Sequence, residues 1–390
     1  MRDEVWIEPD SPLHRLGRRA ATSVSARSDR VNAWLRSLVA SAPARGLGPK
    51  FPLSGFHASF SELEAITFHP DVLAAIEQAP RAAFDTGALP APRLPSTSLP
   101  AGPARRRAVR IVDLVPFGLE LDVLELRLAH LYDVVDAFVV VESTRGYGGV
   151  AKPLVLQRNL PRFARFEPKL HPIAITSELS STAQPSHREG TDWSGEMAFR
   201  AAMWHAARPL LSSDTETIVI ASDCDELPPR HLLHWIRHHD VQLPMRVRVP
   251  TLRFNLGWQD PRVFADIVLA HSAQFAEIDR DPGRLRTWPG PTFGVRGGVH
   301  VTSFLSPLAM IAKFAITTDW EEGVVPFIRN AHDETATMMA HGHWFGRPMR
   351  RYDSQTDARG MIPEALRLHG ARFAHLWPTT GSRRAVEAAR

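Results

Sequence analysis

The apolar residues of the chain follow two different periods. At the N-terminus they recur at helical spacing in two stretches, 29–40 and 60–79, and Ser61 has the residue type of an N-cap for the second. After residue 107, short apolar runs alternate with helical patterns, which is typical of a mostly parallel sheet with helical crossovers. The pattern therefore predicts an α/β fold with a small helical N-terminal extension over residues 1–84.

The region between the two patterns, residues 85–107, is dense in proline, small residues and then arginine. Proline fixes φ and removes a backbone donor, so we predict a linker without helix or sheet. The main domain is then expected over residues 108–350, and a C-terminal helical tail over residues 351–390. We expect the extension, residues 1–84, either to pack on the main domain or to bind a protein partner.

Apolar runs and amphipathic stretches alternate through the predicted main domain. The runs predict strands at 108–117, 134–143, 171–175 and 216–226. The amphipathic stretches predict helices at 119–133, 194–207 and 228–240. In the first of these helices, the leucines expected to share one face are Leu121, Leu124, Leu128 and Leu131. In the second, Ser194 is the expected N-cap, and the residues expected to face inward are Met197, Ala201 and Trp204.

Composition limits the possible classes of protein. A chain of 390 residues with 44% hydrophobic content is long enough for one large α/β domain with an appendage, or for two domains. The net charge of +4 is small, and neither arginines nor aromatic residues form a stripe, so we expect no nucleic-acid partner. The single cysteine excludes an internal disulfide, and no apolar run reaches the ~18 residues of a membrane helix. The first residues lack the apolar core of a secretory signal, so we expect a cytoplasmic protein without a transmembrane segment.

An acidic cluster follows one of the predicted strands, in "TIVIASDCDELP". In an open parallel sheet, ligands bind at the carboxyl ends of the strands, where Asp223 and Asp225 are expected to lie. Two such carboxylates repel each other unless a cation or a shared proton intervenes, and Mn²⁺ or Mg²⁺ prefers oxygen ligands. Alternatively, the carboxylates cap the next helix. Strand alternation should turn Cys224 into the core, and Glu226 either orients a neighbour or caps the following helix.

Seven blocks of the chain, taken together and in this order, are similar to glycosyltransferase family 17. They run from Val109 to Arg347. The blocks are "DLVPF", "ELDVLELRL", "VVVES", the Lys152–Pro153 pair, "SDCDELP", "RGGVHVTSFLSP" and "GHWFGR". Each block alone is a weak signal, whereas their shared order makes the resemblance specific.

The resemblance implies a GT-A fold, an αβα sandwich around a Rossmann-like nucleotide-sugar-binding sheet, over residues 108–350. It also implies transfer of a sugar, with inversion at the anomeric carbon, from a nucleotide sugar to a glycan or other hydroxyl acceptor. The donor by family analogy is UDP-N-acetylglucosamine, and the cofactor is Mn²⁺ or Mg²⁺. By position, Asp223 would face the ribose or bridge to the metal through water, and Asp225 would ligate the metal directly.

Four further residues are candidates for contacts with the donor nucleotide. Glu142, at the end of a predicted strand, is placed to accept hydrogen bonds from uracil or ribose, or it is a solvated loop carboxylate. Arg200 is suited to a bidentate contact with a diphosphate, or it is a surface arginine. Lys152 and Lys313 are compact charges that suit a phosphate, or they too lie at the surface.

The remaining candidates concern the metal and the acceptor. His300 either completes the metal shell, contacts the acceptor, or is a structural histidine. An inverting transfer needs a base that deprotonates the acceptor hydroxyl. Glu321 aligns with the glutamate of a family His-x-Glu, whereas Asp319 stands where the family has the histidine, so the base is one of Glu321, Asp319 and Glu322.

Two other functions are compatible with parts of this pattern. A non-catalytic nucleotide-sugar or carbohydrate-binding protein of the same fold predicts nucleotide binding that is weak or independent of metal. A phosphatase of the haloacid dehalogenase type also has Asp-x-Asp at a strand end, but early in its domain and followed by Thr or Val. The depth of Asp223 in this chain, and Glu226 and Leu227 after it, argue against that class.

Overall fold

The structure is a computed structural model, and the account below concerns the residues that it describes. These are 60–80, 82–84, 89–92, 99–176, 194–211, 216–277, 282–286, 288, 290–294, 296–317, 339, 341–344, 347–354, 356–357 and 360–377. The predicted helical stretch 29–40 lies outside them, as does the part of the predicted tail beyond residue 377.

Ten strands of the described residues form one mixed sheet, and two more form a separate pair. The strands of the large sheet are β1 (Arg110–Phe117), β2 (Ala137–Ser143), β3 (Leu170–Ile175), β4 (Thr217–Ala221), β5 (Glu226–Leu227), β6 (Met245–Arg253), β7 (Trp258–His271), β8 (Thr292–Gly294), β9 (Val299–Thr302) and β12 (Arg350–Arg351). The separate pair is β10 (His343–Trp344) and β11 (Arg347–Pro348). The four strands predicted from the sequence are confirmed, although β4 ends at Ala221, before the acidic cluster.

The main path of the large sheet runs β3-β2-β1-β4-β7-β6-β9-β5. The first four strands of this path are parallel, as predicted. The mostly parallel pattern does not continue, because β7 runs antiparallel to both β4 and β6. Only residues 254–257 separate β6 from β7, and so short a connection cannot contain the crossover that parallel neighbours require. The carboxyl ends of β1, β2, β4, β6 and β9 consequently lie at one edge.

Helices cover both faces of the sheet. They are α1 (Phe60–Thr67), α2 (Pro70–Ile76), α3 (Leu121–Leu131), α4 (Val155–Arg158), α5 (Ser194–Ala207), α6 (Arg230–His238), α7 (Pro307–Ile316) and α8 (Glu364–Leu368). Strand alternation sends Ile111 and Val115 into a core shared with α3, α6 and α7. Val112 and Leu114 point to the other face, where they share a core with α5. The result is a mixed α/β fold with helical layers on both faces of the sheet.

Two helices differ from their predicted faces. The four predicted leucines of α3 are buried, but so are all its other residues except Asp122, because α8 packs on its outer side. In α5 the buried stripe runs through Glu196, Phe199, Arg200, Met203, Trp204 and Ala207. The inward position of Trp204 is therefore confirmed, whereas Met197 and Ala201 are only half-buried. Ser194 is the first residue of the helix and not its N-cap.

Segments outside the predicted main domain also pack against it. The stretch 60–79 forms two helices because the first helix ends at Thr67, before Pro70. Ser61 lies inside α1 instead of capping it. Both helices contact α7, with Leu63 and Ile66 fully buried. The described part of the N-terminal extension thus packs on the main domain, which was one of its two expected roles.

The predicted linker lies along α6 in its described residues. Ala104 forms a single bridge with His239, and Trp235 donates from Nε1 to the carbonyl of Pro100 at 3.0 Å. Residues 89–92 and 99–107 contain no helix and no strand. None of the described helices is long and apolar enough to cross a membrane.

Candidate functional site

The acidic cluster forms a tight turn at the edge where the parallel strands end. The N–H of Glu226 donates to the carbonyl of Asp223 at 3.0 Å, and the N–H of Asp223 donates to the Glu226 carboxylate at 2.9 Å. The turn is tied to β9 by the N–H of Val301, which donates to the carbonyl of Asp225 at 2.8 Å. Glu226 therefore orients its neighbour Asp223, one of its two predicted roles. Cys224 is buried in the core as predicted.

A fully buried arginine, Arg127, donates hydrogen bonds to the backbone of this turn. Arg127 of α3 donates to both oxygens of Asp113 on β1, at 2.7 and 2.6 Å. Its Nη1 donates to the carbonyls of Asp223 and Glu226 at 2.9 and 2.7 Å, and its Nη2 donates to Ser222 Oγ at 2.7 Å. Arg127 and Asp113 have no exposed side-chain surface. This ion pair fixes the backbone that presents the acidic side chains.

Three side chains of the site are arranged as a cation would need them. Asp225, Glu226 and His300 each offer one ligand atom, and these atoms lie within 4.8 Å of one another. His300 stands opposite Glu226 in the pairing of β5 with β9, and its Nε2 lies 3.4 Å from Asp225 Oδ2. Two carboxylates and an imidazole suit Mn²⁺, which accepts both oxygen and nitrogen ligands. The residues present therefore fit a divalent ion, with Glu226 in the place expected for Asp223.

The charges around this group act on the pKa values of its carboxyls. Burial alone would raise the pKa of Asp225, but the charges of Lys313 and His300 outweigh burial and hold that pKa well below its ordinary value. Burial raises the pKa of Glu226, and Arg286 offsets only part of this effect. Asp225 is thus ionised and ready to accept a cation.

Asp223 is held between two arginines. Its Oδ1 accepts from Arg200 at 2.8 Å and its Oδ2 from Arg286 at 2.6 Å. Burial would raise the pKa of Asp223, but these two guanidinium groups lower it below its ordinary value. Its side chain is 27% exposed, compared with 8% for Asp225. Asp223 is therefore the more open carboxylate of the turn, and its contact with the ribose or with a metal through water stays a prediction.

The two arginines around Asp223 belong to a wider network. Arg200 is 1% exposed, so the alternative of a surface arginine is wrong. Glu196, one helical turn earlier on α5, accepts from Arg200 Nε at 2.9 Å and from Nη2 at 2.7 Å. Arg286 also donates to Glu226 at 2.8 Å. Two guanidinium groups thus lie beside the turn, where a diphosphate would need them.

Glu142 and Lys152 form a separate buried pair. Lys152 Nζ lies 3.2 Å from Glu142 Oε1, and side-chain exposure is 2% for Lys152 and none for Glu142. The Glu142 carboxylate also accepts from the N–H groups of Leu156 and Gln157 at the start of α4. Neither residue is a solvated surface group. A contact of either with a nucleotide stays a prediction, and such a contact would require this ion pair to open.

Lys313 lies inside the acidic group and not at the surface. Its Nζ is 2.5 Å from Glu120 Oε1 and 3.3 Å from Asp225 Oδ2. Burial alone would lower the pKa of Lys313, but the two carboxylates outweigh burial and raise it. Lys313 is therefore a permanent positive charge at the proposed cation site.

The three predicted base candidates, Asp319, Glu321 and Glu322, lie outside the described residues. Their roles stay predictions.

Four residues of the site were missed by the sequence reasoning: Arg127, Asp113, Glu120 and Arg286. Arg127 had a signal, because it falls on the leucine face of its helix, while Asp113 interrupts an apolar strand. Glu120 begins the block "ELDVLELRL", which supported the family resemblance but gave Glu120 no predicted role. Arg286 follows a short 3₁₀ helix, Pro282–Leu285, and carries no pattern that marks it.

The described residues form an α/β fold with a cluster of charged side chains, rich in carboxylates, at the carboxyl ends of its parallel strands. Residues 97–262 match the model of glycosyltransferase family 17. The resemblance drawn from the sequence blocks is therefore confirmed over a stretch that includes the turn, Arg127 and Arg200. No curated protein matches the chain significantly.

Proposed function

We propose that the protein is a metal-dependent, inverting glycosyltransferase of the GT-A type. The proposed donor is a nucleotide sugar, UDP-N-acetylglucosamine by family resemblance, and the acceptor is a hydroxyl of a glycan or a small molecule. The observation that carries the proposal is the group formed by Asp225, Glu226 and His300 beside Asp223 and its two arginines. Carboxylates that suit a cation lie next to guanidinium groups that suit an anion there, which supports binding of a metal-bound diphosphate.

The proposed roles follow from the contacts. Asp225, Glu226 and His300 would hold Mn²⁺ or Mg²⁺, which would neutralise charge on the β-phosphate as the sugar departs. Arg200, kept in place by Glu196, and Arg286 would contact the diphosphate oxygens. Asp223 would turn towards the ribose, because it is the least buried carboxylate of the turn.

The acceptor side is proposed from the sequence. Glu321 is the proposed base, which removes the proton of the acceptor hydroxyl on the face opposite the leaving group. In the Glu321→Gln variant we expect UDP-sugar binding to persist and transfer to stop. If transfer persists in that variant, Asp319 or Glu322 takes the role.

The proposal is tested by titrating UDP and UDP-sugars in a calorimeter with and without Mn²⁺. For the wild type we expect tighter UDP binding with Mn²⁺, and for Asp225→Ala we expect weaker binding and no metal dependence. Asp240→Ala is the matched control, because Asp240 is an exposed carboxylate paired with Arg105, outside the group around Asp225. Indifference of the wild type to Mn²⁺ would contradict metal dependence, and absence of any UDP binding would contradict the choice of donor. Binding without transfer to any acceptor would favour the non-catalytic alternative.

A further inference from the structure

The most unusual feature of the proposed metal site is that a lysine already occupies part of it. Asp225 Oδ2, an oxygen that a divalent ion would need, lies 3.3 Å from Lys313 Nζ and 3.4 Å from His300 Nε2. The Lys313 side chain is anchored by Glu120 at 2.5 Å and is only 19% exposed. An ammonium group therefore stands next to the position where a second cation would bind.

The position of Lys313 is set by the fold. Helix α7 starts just after β9, which carries His300, and the Ser306 side chain caps it by accepting from the N–H of Ala309 at 3.3 Å. Glu120 immediately precedes α3, so its carboxylate reaches Lys313 from a different element. Two elements thus converge on this ammonium.

The charge balance of the described site leaves room for one divalent ion. Five carboxylates, those of Glu120, Glu196, Asp223, Asp225 and Glu226, are joined by ion pairs to three basic side chains, those of Arg200, Arg286 and Lys313. With these eight side chains ionised, they carry two negative charges together. Without Lys313 the group would carry three, and its attraction for a divalent ion would be stronger.

We propose that Lys313 is the resident counter-ion of this site and that it makes metal binding depend on the donor. The inference rests on the proposed function. While no divalent ion is bound, Lys313 compensates Asp225, and the two cations repel each other if the ion binds alone. A bound diphosphate supplies the missing negative charge, so metal and nucleotide strengthen each other's binding.

Lysine suits this role for a chemical reason. Its ammonium carries three N–H donors on a flexible stem, and the two described carboxylate contacts use two of them. The third can be donated to a phosphate oxygen at the same edge of the sheet. Lys313 therefore opposes the free ion and favours the nucleotide.

The test uses the full chain and two ligands, Mn²⁺ and UDP. In Lys313→Met we expect Mn²⁺ alone to bind about tenfold more tightly, a change of about 1.4 kcal/mol, and UDP at saturating Mn²⁺ to bind about tenfold more weakly. Free Mn²⁺ is measured by electron paramagnetic resonance, and UDP by calorimetry. Lys313→Arg keeps the charge and should leave the affinity for Mn²⁺ alone within about threefold. Lys169→Met is the matched control, because Lys169 directly precedes β3 at the opposite edge of the sheet.

Opposite changes in the two affinities support the proposal. Unchanged or weaker binding of Mn²⁺ alone to Lys313→Met overturns the role of Lys313. The proposed function survives that result if UDP binding by the wild type depends on Mn²⁺. A wild type that binds neither Mn²⁺ nor UDP overturns both. Circular dichroism checks that each variant is folded, and if Lys313→Met is not, Lys313→Gln gives the same readout with a polar side chain.

Discussion

The ion pair between Arg127 and Asp113 allows a sharp test of how the fold supports the site. In Arg127→Met the carboxylate of Asp113, which has no exposed surface, loses its only described cation, and the carbonyls of Asp223 and Glu226 lose a donor. Removing one partner of a buried ion pair costs about 3–5 kcal/mol, and unpaired buried acceptors add to that cost. Because a domain is stable by only about 5–15 kcal/mol, we expect Arg127→Met to be barely folded.

A second substitution separates the two effects. In the double variant Arg127→Met with Asp113→Leu, the isolated charge is gone, and we expect about 2–4 kcal/mol of the lost stability to return. The carbonyls of the turn still lack their donor, so UDP affinity should stay low. Urea denaturation followed by tryptophan fluorescence gives the stabilities, and calorimetry gives the UDP affinities.

Two results would refute this reasoning. If the double variant is no more stable than Arg127→Met, the isolated charge of Asp113 is not the cause of the loss. If the double variant binds UDP as tightly as the wild type, the turn keeps its geometry without Arg127. The second result would leave the stability argument standing and would remove only the link from Arg127 to the site.

Two more predictions concern stability alone. Burial, with Arg230 nearby, lowers the pKa of His130 to about 3 from its ordinary 6.5. The stability that comes from the neutral His130 is therefore complete above pH 6.5 and is lost as the pH falls towards 3. The loss is up to about 1.4 kcal/mol per pH unit. In His130→Leu the dependence of unfolding free energy on pH should be shallower in that window, and an unchanged slope would contradict the prediction. Gly342→Ala places a Cβ 2.3 Å from the Trp258 ring at a φ of +64°, whereas Gly360→Ala has the same φ and open space. We expect Gly342→Ala to cost about 1–3 kcal/mol more than Gly360→Ala in urea denaturation, and equal costs would show that the Trp258 ring moves aside.

The parallel half of the sheet could be predicted because its signals are local. Each of its strands is a short apolar run, and the crossover segments that join them carry helical patterns. The acidic turn follows its strand directly, so its place at the sheet edge required no knowledge of distant contacts. Cys224 is buried as predicted, but it lies in the turn after β4, so strand alternation is not the reason for its burial.

The rest of the site depends on partners that are distant in sequence. Glu142 was expected to contact the nucleotide, but its carboxylate forms an ion pair with Lys152 and accepts hydrogen bonds from N–H groups at the start of α4. The sequence allowed Arg200 to be either buried or exposed, and its ion pairs with Glu196 and Asp223 are seen only in the structure. Arg286 joins the turn from 60 residues away in the chain. Periodicity shows which side of an element is buried, but it does not show which opposite charge lies there.

The backbone at this edge has an unusual conformation at the ends of β6 and β9. Phe254, after β6, and Ser303, after β9, have positive φ values of 68° and 62°, and the N–H of Phe254 donates to the carbonyl of Thr302 at 3.1 Å. Such conformations cost about 1–3 kcal/mol each, and they persist where the surrounding structure fixes them. Here they turn the chain at the ends of two neighbouring strands, β6 and β9, and β9 in turn pairs with β5, where His300 lies opposite Glu226. The contact of His300 with Asp225 therefore depends on the antiparallel pairing of β5 with β9.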